Sequence, residues 1–502
     1  MSESTTSRLT ESERHLVEVN GIDIIDEAQR TARPSDLFWP WFAANVSVFG
    51  ISWGSFVLGF GISFGQAVLV SVVGVVLSFL FCGIIAIAGK RGSAPTMVLS
   101  RAAFGVNGQK VPGVFSWLIS MGWETFLAIM AVLATATVFD QLGWASGTTT
   151  KVLATVVIAG LIILASVAGY HTIMRLQSVL TWLTGAATIA YIVMTWDQVD
   201  LAAIQAIEPG PMTAVIGALV MLMTGFGLGW INIAADWSRY QHRDAPGSAI
   251  VFWNTLGGAL APVLLVIYGL LLVGSRPDLE EGIVNDPIGT LATILPTWFL
   301  VPFLLAAVLA LVSGAVLGIY SSGLTLLSLG VNIPRPAAAG IDGTIMTLGA
   351  VWVVFFAQSF LGPFQSFLIT LGVPIAVWAG ILMADILLRR RDYDERALFD
   401  ASGRYGSWSW TPIVLMVVGS FVGWGLVINQ FADEAGWNNW QGYLLGLGLG
   451  GRDGTWAWAN LGVLAALAIG FLGWLILGRA IVRRQEQGIA PTDGGPDRVG
   501  QR

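Results

Sequence analysis

The sequence predicts an all-α polytopic membrane protein with twelve transmembrane helices, and three observations support this prediction. Hydrophobic residues make up 55% of the 502 residues and charged residues only 11%, whereas soluble domains hold about 25% charged residues. The mean hydropathy is +0.73, and apolar stretches of about 20 residues, the length that crosses a bilayer, recur along the chain. The 22 Trp and 61 Gly are typical of membrane helices, which tolerate glycine and carry tryptophan at the interfaces.

The first apolar segment, WPWFAANVSVFGISWGSFVLGFG at 39–61, is long enough to cross a bilayer but forms a weak continuous helix. Asn45, Ser47 and Ser52 interrupt it, and glycines recur from residue 50 onward. Unpaired backbone groups cost several kcal/mol in hydrocarbon, so such a helix is tolerated only where it faces protein or a water-filled cavity. The break therefore predicts half of a binding site at the membrane midplane.

Segments of similar length divide the chain into twelve predicted spans. The spans lie at 38–61, 66–89, 111–138, 152–169, 174–195, 213–235, 249–274, 299–328, 341–360, 364–388, 411–430 and 456–482. The apolar segment 286–298 is too short to span and is expected to form an interfacial helix on the outer face. The polar segment 1–36 lacks the apolar core of a cleavable signal peptide, and we interpret it as a cytoplasmic tail.

The distribution of positive charge supports this number of spans. With the N-terminus in the cytoplasm, all of the 25 Lys and Arg except Lys151, Arg276 and Arg452 fall in cytoplasmic segments, as the positive-inside rule requires. Adding or removing a single span would destroy the partition. The prediction is therefore a multi-pass protein of the cell (plasma) membrane with both termini in the cytoplasm.

Span 6 is interrupted in the same way as span 1. Its sequence MLMTGFGLGWINIAADWSRY carries Gly225, Gly227 and Gly229 across its middle. The two broken spans lie five spans apart, and an odd number of spans per half requires the second half to be inverted in the membrane. The predicted divisions are an inverted-repeat core at 37–390 (repeats 37–196 and 212–390), a cytoplasmic linker at 391–409, two extra helices within 410–483 and a cytoplasmic tail at 484–502.

Glu124, in the GWETFLAIM segment of span 3, is the charge least compatible with hydrocarbon. A carboxylate within a span costs about 2.5–3.5 kcal/mol on insertion scales, so it is expected to face a cavity or a partner. It is a candidate substrate acceptor or proton-coupling group; the alternative is a structural hydrogen bond. Trp123 beside it and Phe226 in the break of span 6 are candidate stacking faces for a flat ligand, with simple packing as the alternative for each.

For other polar residues of the spans the sequence favours a structural or gating role over direct substrate contact. The i, i+3 spacing of Asp236 and Arg239 suits a local ion pair with a structural or gating role. Ser321 lies in the polar GIYSSGL segment of span 8, where a serine commonly bonds the carbonyl one turn earlier. Ser313, about two turns before it, lies where an ion could be held between spans 1 and 8.

Several classes of function are disfavoured by residues that the sequence lacks or scatters. Cys82 is the only cysteine, and His15, His171 and His242 are far apart, so neither a thiol cluster nor a histidine triad for a metal is predicted. No phosphate loop, nucleophile elbow or basic, aromatic-interleaved surface for nucleic acid is present, and the glycines of span 6 follow no strand. No cofactor and no obligate protein partner are predicted.

At this point several segments, in their order and spacing, resemble the nucleobase–cation symporter family one, specifically its purine–cytosine permease branch, over about residues 34–430. The segments are WFAANVSV in span 1, KRGSAPTMVLSRAAFGVNG (90–108), GW (122–123), GYHTIMRLQ (169–177), GFGLGWINIAADWSRY (225–240), GIYSSGL (318–324) and GILMADILLRRRDYDERALF (380–399). The resemblance implies a LeuT-like fold of two inverted five-helix repeats with discontinuous helices 1 and 6, plus two extra C-terminal helices. It also implies cation-coupled symport of a nucleobase by alternating access.

The resemblance assigns roles to particular residues. In such permeases a span-3 tryptophan and a span-6 aromatic residue sandwich the planar base, and these roles fall on Trp123 and Phe226. The expected substrate-binding set is Trp123, Phe226, Glu124, Gly227, Gly229, Asn45, Ser120 and Ser321. Sodium-coupled relatives hold the ion with carbonyls of spans 1 and 8 and with span-8 hydroxyls. The corresponding cation-binding positions are Ala43, Val46, Ala310 and Ser313.

The chain departs from the family pattern at positions that bear on the ion and the substrate. Ser313 and Gly314 stand where sodium-coupled relatives tend to have two hydroxyl residues, so H+, with Glu124 as carrier, is an alternative to Na+. Ser120 stands where some cytosine carriers have glutamine, and Glu124 is a candidate replacement acceptor for an amino or ring N–H group. The predicted function is import of a purine, cytosine or related nucleobase. Alternatives are a carrier of another small metabolite, such as an amino acid, a vitamin or a hydantoin- or allantoin-like compound, and, less favoured, a membrane-embedded enzyme or sensor.

Overall fold

The computed structural model describes residues 20–357, 361–429 and 439–488. Within these ranges the chain is helical, and its only β-type pairing is an isolated bridge between Ala32 and Gln241. The all-α prediction is therefore confirmed. The predicted tails lie partly outside the described residues, at 1–19 (with His15) and 489–502.

The helices follow the predicted spans in order and take the same numbers. They are Phe38–Asn45 and Phe49–Leu58 (span 1), Phe64–Gly92 (2), Lys110–Gln141 (3), Thr148–Ala168 (4), Tyr170–Thr195 (5), Met212–Gly225 and Gly227–Trp230 (6), Gly247–Ser275 (7), Thr297–Ser328 (8), Arg335–Phe356 (9), Leu361–Leu388 (10), Trp410–Gly425 (11) and Gly462–Glu486 (12). Short helices at Thr96–Leu99, Arg101–Phe104, Leu201–Gln205, Glu280–Asn285 and Pro287–Ala292 connect them. Single 3-10 turns lie at Glu27–Gln29, Pro34–Leu37, Trp196–Gln198, Ile231–Ile233, Pro277–Leu279 and Thr455–Ala459.

The described residues include ten helices long and apolar enough to cross a bilayer, and the bent pair of span 1 would be an eleventh. Span 11 is shorter than predicted, since its helix Trp410–Gly425 has 16 residues, whereas a full crossing takes about 20. The end of the predicted span 11, at 430, lies outside the described residues. The predicted twelve spans thus correspond to ten long helices, one bent pair and one short helix.

Span 1 is broken at its centre, as its composition predicts. The helix ends at Asn45, Val46 adopts φ −82° and ψ 79°, and a second helix begins at Phe49 at an angle of 69° to the first. Span 6 is interrupted at Phe226, whose φ of −114° and ψ of −109° lie outside the helical region. The two discontinuities leave backbone groups without helical partners at the same level of the protein, where a ligand can use them.

Three predicted boundaries differ from the structure. Span 9 begins at Arg335 rather than at 341. Pro336 is compatible with the first turn of a helix, because the N–H group that proline lacks would have no partner within the helix there. Span 12 begins at Gly462, since Asn460 has a left-handed φ of 45° and ends a separate 3-10 turn. The expected interfacial helix is reduced to the six residues Pro287–Ala292.

Glycines bring span 1 into backbone contact with span 7. A methyl group added to Gly54 would lie 2.2 Å from the carbonyl carbon of Gly269, and one added to Gly269 would lie 1.9 Å from the carbonyl oxygen of Ile51. Small residues allow such close approach between membrane helices. The second half of span 1 is thereby fixed against span 7, while span 3 packs along span 8 and span 10 along span 12.

Residues 20–37, termed the N-terminal strap, cross the end of the bundle that carries most of the arginines. Arg30 is buried, with 1% of its surface exposed, and its guanidinium donates to the carbonyl oxygens of Gln241 at 2.9 Å and Lys90 at 2.6 Å. Gln241 follows span 6, and Lys90 lies in the last turn of span 2. The strap therefore ties the N-terminal segment to two helix ends.

Charged pairs join four segments that were predicted to be cytoplasmic. Arg243, after span 6, lies 2.9 Å from Glu27 of the strap and 2.7 Å from Glu395 of the linker. Arg91, at the end of span 2, lies 3.3 Å from Asp392. The predicted cytoplasmic segments thus converge on one face of the molecule.

Candidate functional site

Three adjoining cavities meet where the breaks of spans 1 and 6 face span 3. Trp123 and Gly229 line all three of them. The first, termed the long cavity, is mostly apolar and extends between spans 1, 3, 6 and 10 as far as Phe60 and Asn460. It leads away from the arginine-rich face of the protein.

The other two cavities are smaller and lie beside the breaks. The break cavity lies between the interrupted parts of spans 1 and 6 and is lined by Asn45, Phe226 and Ala310 among others. The carboxyl cavity lies deeper and is lined by Glu124 of span 3 and Asn232 of span 6. The structure therefore brings most of the predicted substrate-binding residues to one continuous region.

Two tryptophans and a glycine form the junction of the cavities. Trp230 lines both the break cavity and the carboxyl cavity and is held by an edge contact with Trp41 at 6.1 Å between ring centroids. A methyl group added to Gly229 would lie 3.4 Å from the indole nitrogen of Trp123. That nitrogen is buried and has no hydrogen-bond partner among the described residues. Glycine at 229 thus leaves space beside a polar group that can donate to a ligand.

Glu124 is the most unusual polar residue of the site. Only 1% of its surface is exposed, and neither carboxyl oxygen has a hydrogen-bond partner among the described residues. A methyl group added to Gly318 of span 8 would lie 2.7 Å from Cγ of Glu124. The absence of a side chain at 318 therefore makes room for the carboxyl group. The neighbouring hydroxyl of Ser322 donates its hydrogen bond to Asp342, at 2.8 Å, rather than to Glu124.

Ser120 belongs to a small polar network beside the carboxyl cavity. The amide nitrogen of Asn232 donates to the hydroxyl oxygens of Ser116 at 2.9 Å and Ser120 at 3.0 Å. Asn232 lies in the 3-10 turn that follows the interrupted helix of span 6. The network joins span 6 to span 3 next to Glu124.

Phe226 lines the break cavity, whereas Gly227 lies outside the three described cavities. The ring of Phe226 packs against Trp53, with centroids 4.9 Å apart and planes at 47°. The N–H of Gly227 donates to the hydroxyl of Ser78 at 3.1 Å, and a methyl group there would lie 2.2 Å from the carbonyl carbon of Ser78. Gly227 therefore serves close packing of span 6 on span 2 and is not part of the described cavity linings.

Of the two remaining predicted polar contacts, one lies at the cavities and the other does not. Asn45 lines the break cavity, and its amide nitrogen donates to the carbonyl of Trp41 at 2.7 Å, which caps the first half of span 1. Ser321 is completely buried in span 8 and does not occur among the described residues that line the three cavities. The structure therefore brings Asn45, but not Ser321, to the site.

The predicted ion pair of Asp236 and Arg239 is not formed among the described residues, because the chain makes turns over 234–240 and the i, i+3 pair does not share a helix face. Asp236 accepts hydrogen bonds from the backbone and hydroxyl of Thr96, both at 2.7 Å. Arg239 donates to the carbonyl of Gly21 at 3.0 Å and to the hydroxyl of Tyr320 at 2.9 Å. Both charges thus link segments at the arginine-rich end of the bundle.

Ser313, one of the predicted cation-binding residues, contacts the amide side chain of Gln177 in span 5. The hydroxyl of Ser313 lies 3.4 Å from the carbonyl oxygen of Ala43 and donates to the amide oxygen of Gln177. The amide nitrogen of Gln177 donates in return to the carbonyl oxygen of Ser313 at 3.1 Å. Val46 and Ala310 lie at the break and along span 8, both buried. Gln177 therefore occupies both polar groups of Ser313.

Sequence reasoning missed three residues of the site: Trp230, Asn232 and Gln177. In a continuous helix Phe226 and Trp230 would share one face, but the backbone break at Phe226 separates them. Trp230 lines the carboxyl cavity as well as the break cavity, whereas Phe226 lines only the break cavity. A signal for Gln177 was its polar amide within an apolar span.

The family described as permease for cytosine/purines, uracil, thiamine and allantoin matches residues 24–446 of the chain. Two relatives are 22% identical to it. One is YxlA of Bacillus subtilis (strain 168), named a candidate purine-cytosine permease, which matches over 80% of this chain and 86% of its own length. The other is the purine-cytosine permease FCY2 of Saccharomyces cerevisiae, matched over 86% of this chain and 82% of its own.

Solved structures share the fold at low sequence identity. Mhp1, a nucleobase-cation-symport-1 family transporter, in a closed conformation with bromovinylhydantoin bound, has a TM-score of 0.68 at 16% identity, covering 94% of this chain and 99% of its own. A substrate-bound, outward-open Na+-coupled sialic acid symporter has a TM-score of 0.57 at 12% identity, covering 92% and 93%. These likenesses confirm the predicted fold.

Proposed function

The chain belongs to the family of permeases for cytosine/purines, uracil, thiamine and allantoin, and on this premise we propose that it is a secondary transporter that imports a nucleobase together with a cation. The observation that carries the proposal is the junction of three cavities at Trp123, Gly229 and Trp230, between two interrupted helices. Interrupted helices at a repeat interface are the characteristic substrate site of transporters that work by alternating access.

We assign the two stacking faces for the base to Trp123 and Trp230. Both line the break cavity and the carboxyl cavity, and an aromatic plane adds about 0.5–1.5 kcal/mol per offset-stacked pair beyond burial. Phe226 then has an indirect role, because its contact with Trp53 shapes the wall of the break cavity. Glu124, Ser120 and Asn45 supply polar contacts at the ends of this space.

The conformation described has an open side and a closed side. The long cavity reaches Phe60 and Asn460, at the end of the protein opposite the arginine-rich face. At that face the N-terminal strap, Asp236 and Arg239 link the helix ends. Together with the positive-inside rule, this arrangement supports a plasma-membrane protein with cytoplasmic termini whose site opens toward the outside in this conformation.

We propose H+ as the coupling ion. Ser313 is the only hydroxyl among the four predicted cation-binding residues, and its hydroxyl and carbonyl are both engaged by Gln177. A sodium ion bound by Ser313 would have to displace the amide of Gln177 from this position, beside the carbonyl oxygen of Ala43 that lies 3.4 Å from the hydroxyl. Glu124 is the titratable side chain that lines the cavities, and neither of its carboxyl oxygens has a described hydrogen-bond partner. It is therefore the candidate carrier of the proton.

A second candidate within transport is another flat heterocycle. The solved structure of Mhp1 holds a hydantoin, and an apolar, aromatic cavity accepts planar rings of several kinds. A panel of nucleobases, allantoin, thiamine and a hydantoin, tested by thermal shift on purified protein in sodium and in potassium salts, distinguishes the candidates. We expect stabilisation by a nucleobase in both salts. Stabilisation by none of the nucleobases would refute the proposed substrate class.

Uptake by variants of Trp123 tests the site itself. Trp123→Ala should abolish nucleobase uptake, whereas Trp123→Phe should retain part of it, because phenylalanine keeps an aromatic plane but loses area and the indole N–H. Equal uptake by the wild type and both variants would exclude Trp123 from the site.

A further inference from the structure

The carboxyl group of Glu124 has hydrogen-bonding capacity that the protein itself does not use. It lies 1% exposed in span 3, it lines the carboxyl cavity together with Trp123 and Trp230, and neither oxygen has a described hydrogen-bond partner. Buried polar groups in native proteins nearly always have partners. A buried carboxyl group without one, beside two aromatic faces, indicates a ligand that supplies the missing hydrogen bonds.

A second carboxyl group, Asp342 of span 9, does not share this property. Its two oxygens accept hydrogen bonds from the indole N–H of Trp117 at 3.0 Å and the hydroxyl of Ser322 at 2.8 Å. Asp342 is the one described charged group whose field acts on Glu124. Spans 6 and 8 present uncharged neighbours to the carboxyl cavity, such as Asn232 and Gly318. Glu124 is therefore the carboxyl group that remains for the ligand.

Building on the proposed function, we propose that Glu124 binds the hydrogen-bonding edge of the nucleobase and that the coupling proton resides in this contact. A protonated carboxyl group has one donor and one acceptor, whereas an ionised carboxylate only accepts. Bases with one donor beside one acceptor on their edge, such as cytosine, adenine, uracil and hypoxanthine, match the protonated form. The proton from solution is bound to a Glu124 oxygen, is shared with the acceptor atom of the base, and leaves when the base is released on the other side.

A base with two adjacent donors requires the other protonation state. Guanine and isocytosine present a ring N–H next to an amino group, and both donors pair with an ionised carboxylate in a charge-assisted, bidentate contact. Hypoxanthine differs from guanine only by the absence of that amino group, and uracil carries a carbonyl oxygen where isocytosine carries the amino group. Within each pair the two bases should therefore bind with proton uptakes that differ by about one proton, whatever the protonation state of Glu124 without ligand.

The experiment is calorimetric titration of the purified full-length protein with the two base pairs, in buffers of different ionisation enthalpy, to obtain the protons taken up per base. The wild type should show the one-proton difference within each pair. Glu124→Gln should abolish the difference, because an amide has a fixed donor and acceptor. It should keep the affinity for hypoxanthine and uracil within about threefold and weaken guanine and isocytosine about 10- to 100-fold.

Retained binding of hypoxanthine or uracil shows that the Glu124→Gln variant is folded. Asp342→Asn is the matched control and should keep the one-proton difference; a difference lost in Asp342→Asn and kept in Glu124→Gln would overturn the assignment. Binding of the bases with equal proton uptake in the wild type would overturn it as well, while leaving the proposed function intact. Failure of all four bases to bind would instead refute the proposed function.

Discussion

Replacing Gln177 by alanine removes the side chain that joins span 5 to span 8 beside the break of span 1. Gln177 is completely buried and makes two hydrogen bonds with Ser313, donating to its carbonyl at 3.1 Å and accepting from its hydroxyl. Polar contacts between membrane helices contribute about 0.6 kcal/mol on average and at most about 1.7 kcal/mol. Two such contacts predict a loss of about 1–3 kcal/mol in stability for Gln177→Ala.

The two hydrogen bonds between Gln177 and Ser313 are termed the clamp. Part of the loss is expected in substrate binding, because the clamp positions the Ser313 hydroxyl 3.4 Å from the Ala43 carbonyl at the edge of the site. If half of the lost free energy is lost from substrate binding, the Kd rises about 3- to 10-fold. The Kd should rise by the same factor in sodium and in potassium salts, since the proposed role of Gln177 does not involve an ion. Thermal unfolding and nucleobase binding, measured in both salts, give the two quantities.

Thr184→Val is the matched control for this substitution. Thr184 lies two turns further along span 5, is also buried, and its hydroxyl bonds only the Leu180 carbonyl of its own helix in the described structure, at 2.8 Å. Its replacement should leave the Kd unchanged. The contrary result would be a wild-type Kd at least about tenfold lower in sodium than in potassium, with this difference lost in Gln177→Ala. That result would show that Gln177 is a cation ligand, and it would refute the role of Gln177 as a clamp between spans 5 and 8.

Three further outcomes follow from the structure. Trp230→Ala should lose nucleobase uptake while Trp230→Phe retains part of it, since stacking contributes about 0.5–1.5 kcal/mol; wild-type uptake by Trp230→Ala would remove this residue from the site. Gly227→Ala should yield little monodisperse protein in size-exclusion chromatography, because its methyl group would lie 2.2 Å from the backbone of span 2, whereas Gly160→Ala, with nothing within 4 Å, should behave as wild type. Arg30→Ala should speed limited proteolysis of the N-terminal strap, because three contacts of a buried guanidinium are lost; equal rates in Arg30→Ala and in the exposed-site control Arg33→Ala would contradict this.

The fold was predictable because its determinants are local in the sequence. The apolar length of each span, the glycines at the two breaks and the partition of arginines are properties of short segments. Errors occurred where a single residue sets a helix end, as at Pro336 and Asn460. Such ends depend on backbone dihedral angles that composition does not determine.

The site was predictable only in part, because its geometry depends on how helices are broken and rotated. Trp123, Glu124, Ser120 and Gly229 lie in the cavities as predicted from span 3 and span 6. Phe226 received the stacking role because it lies in the glycine-rich break and because the family resemblance places an aromatic residue of span 6 there; Trp230, one turn later, was not considered. The backbone at Phe226, with ψ −109°, removes the face that the two residues would share in a continuous helix.

By itself the sequence determined that this chain is a twelve-segment helical membrane protein of a permease family with breaks in spans 1 and 6. Only the tertiary structure decided which side chains meet at those breaks. Trp230 lines the same two cavities as Trp123, Gln177 makes hydrogen bonds with Ser313, and the Glu124 carboxyl is left without a described partner. The physical reason is that hydropathy fixes where a helix crosses the membrane, whereas packing between helices fixes the direction in which each side chain points.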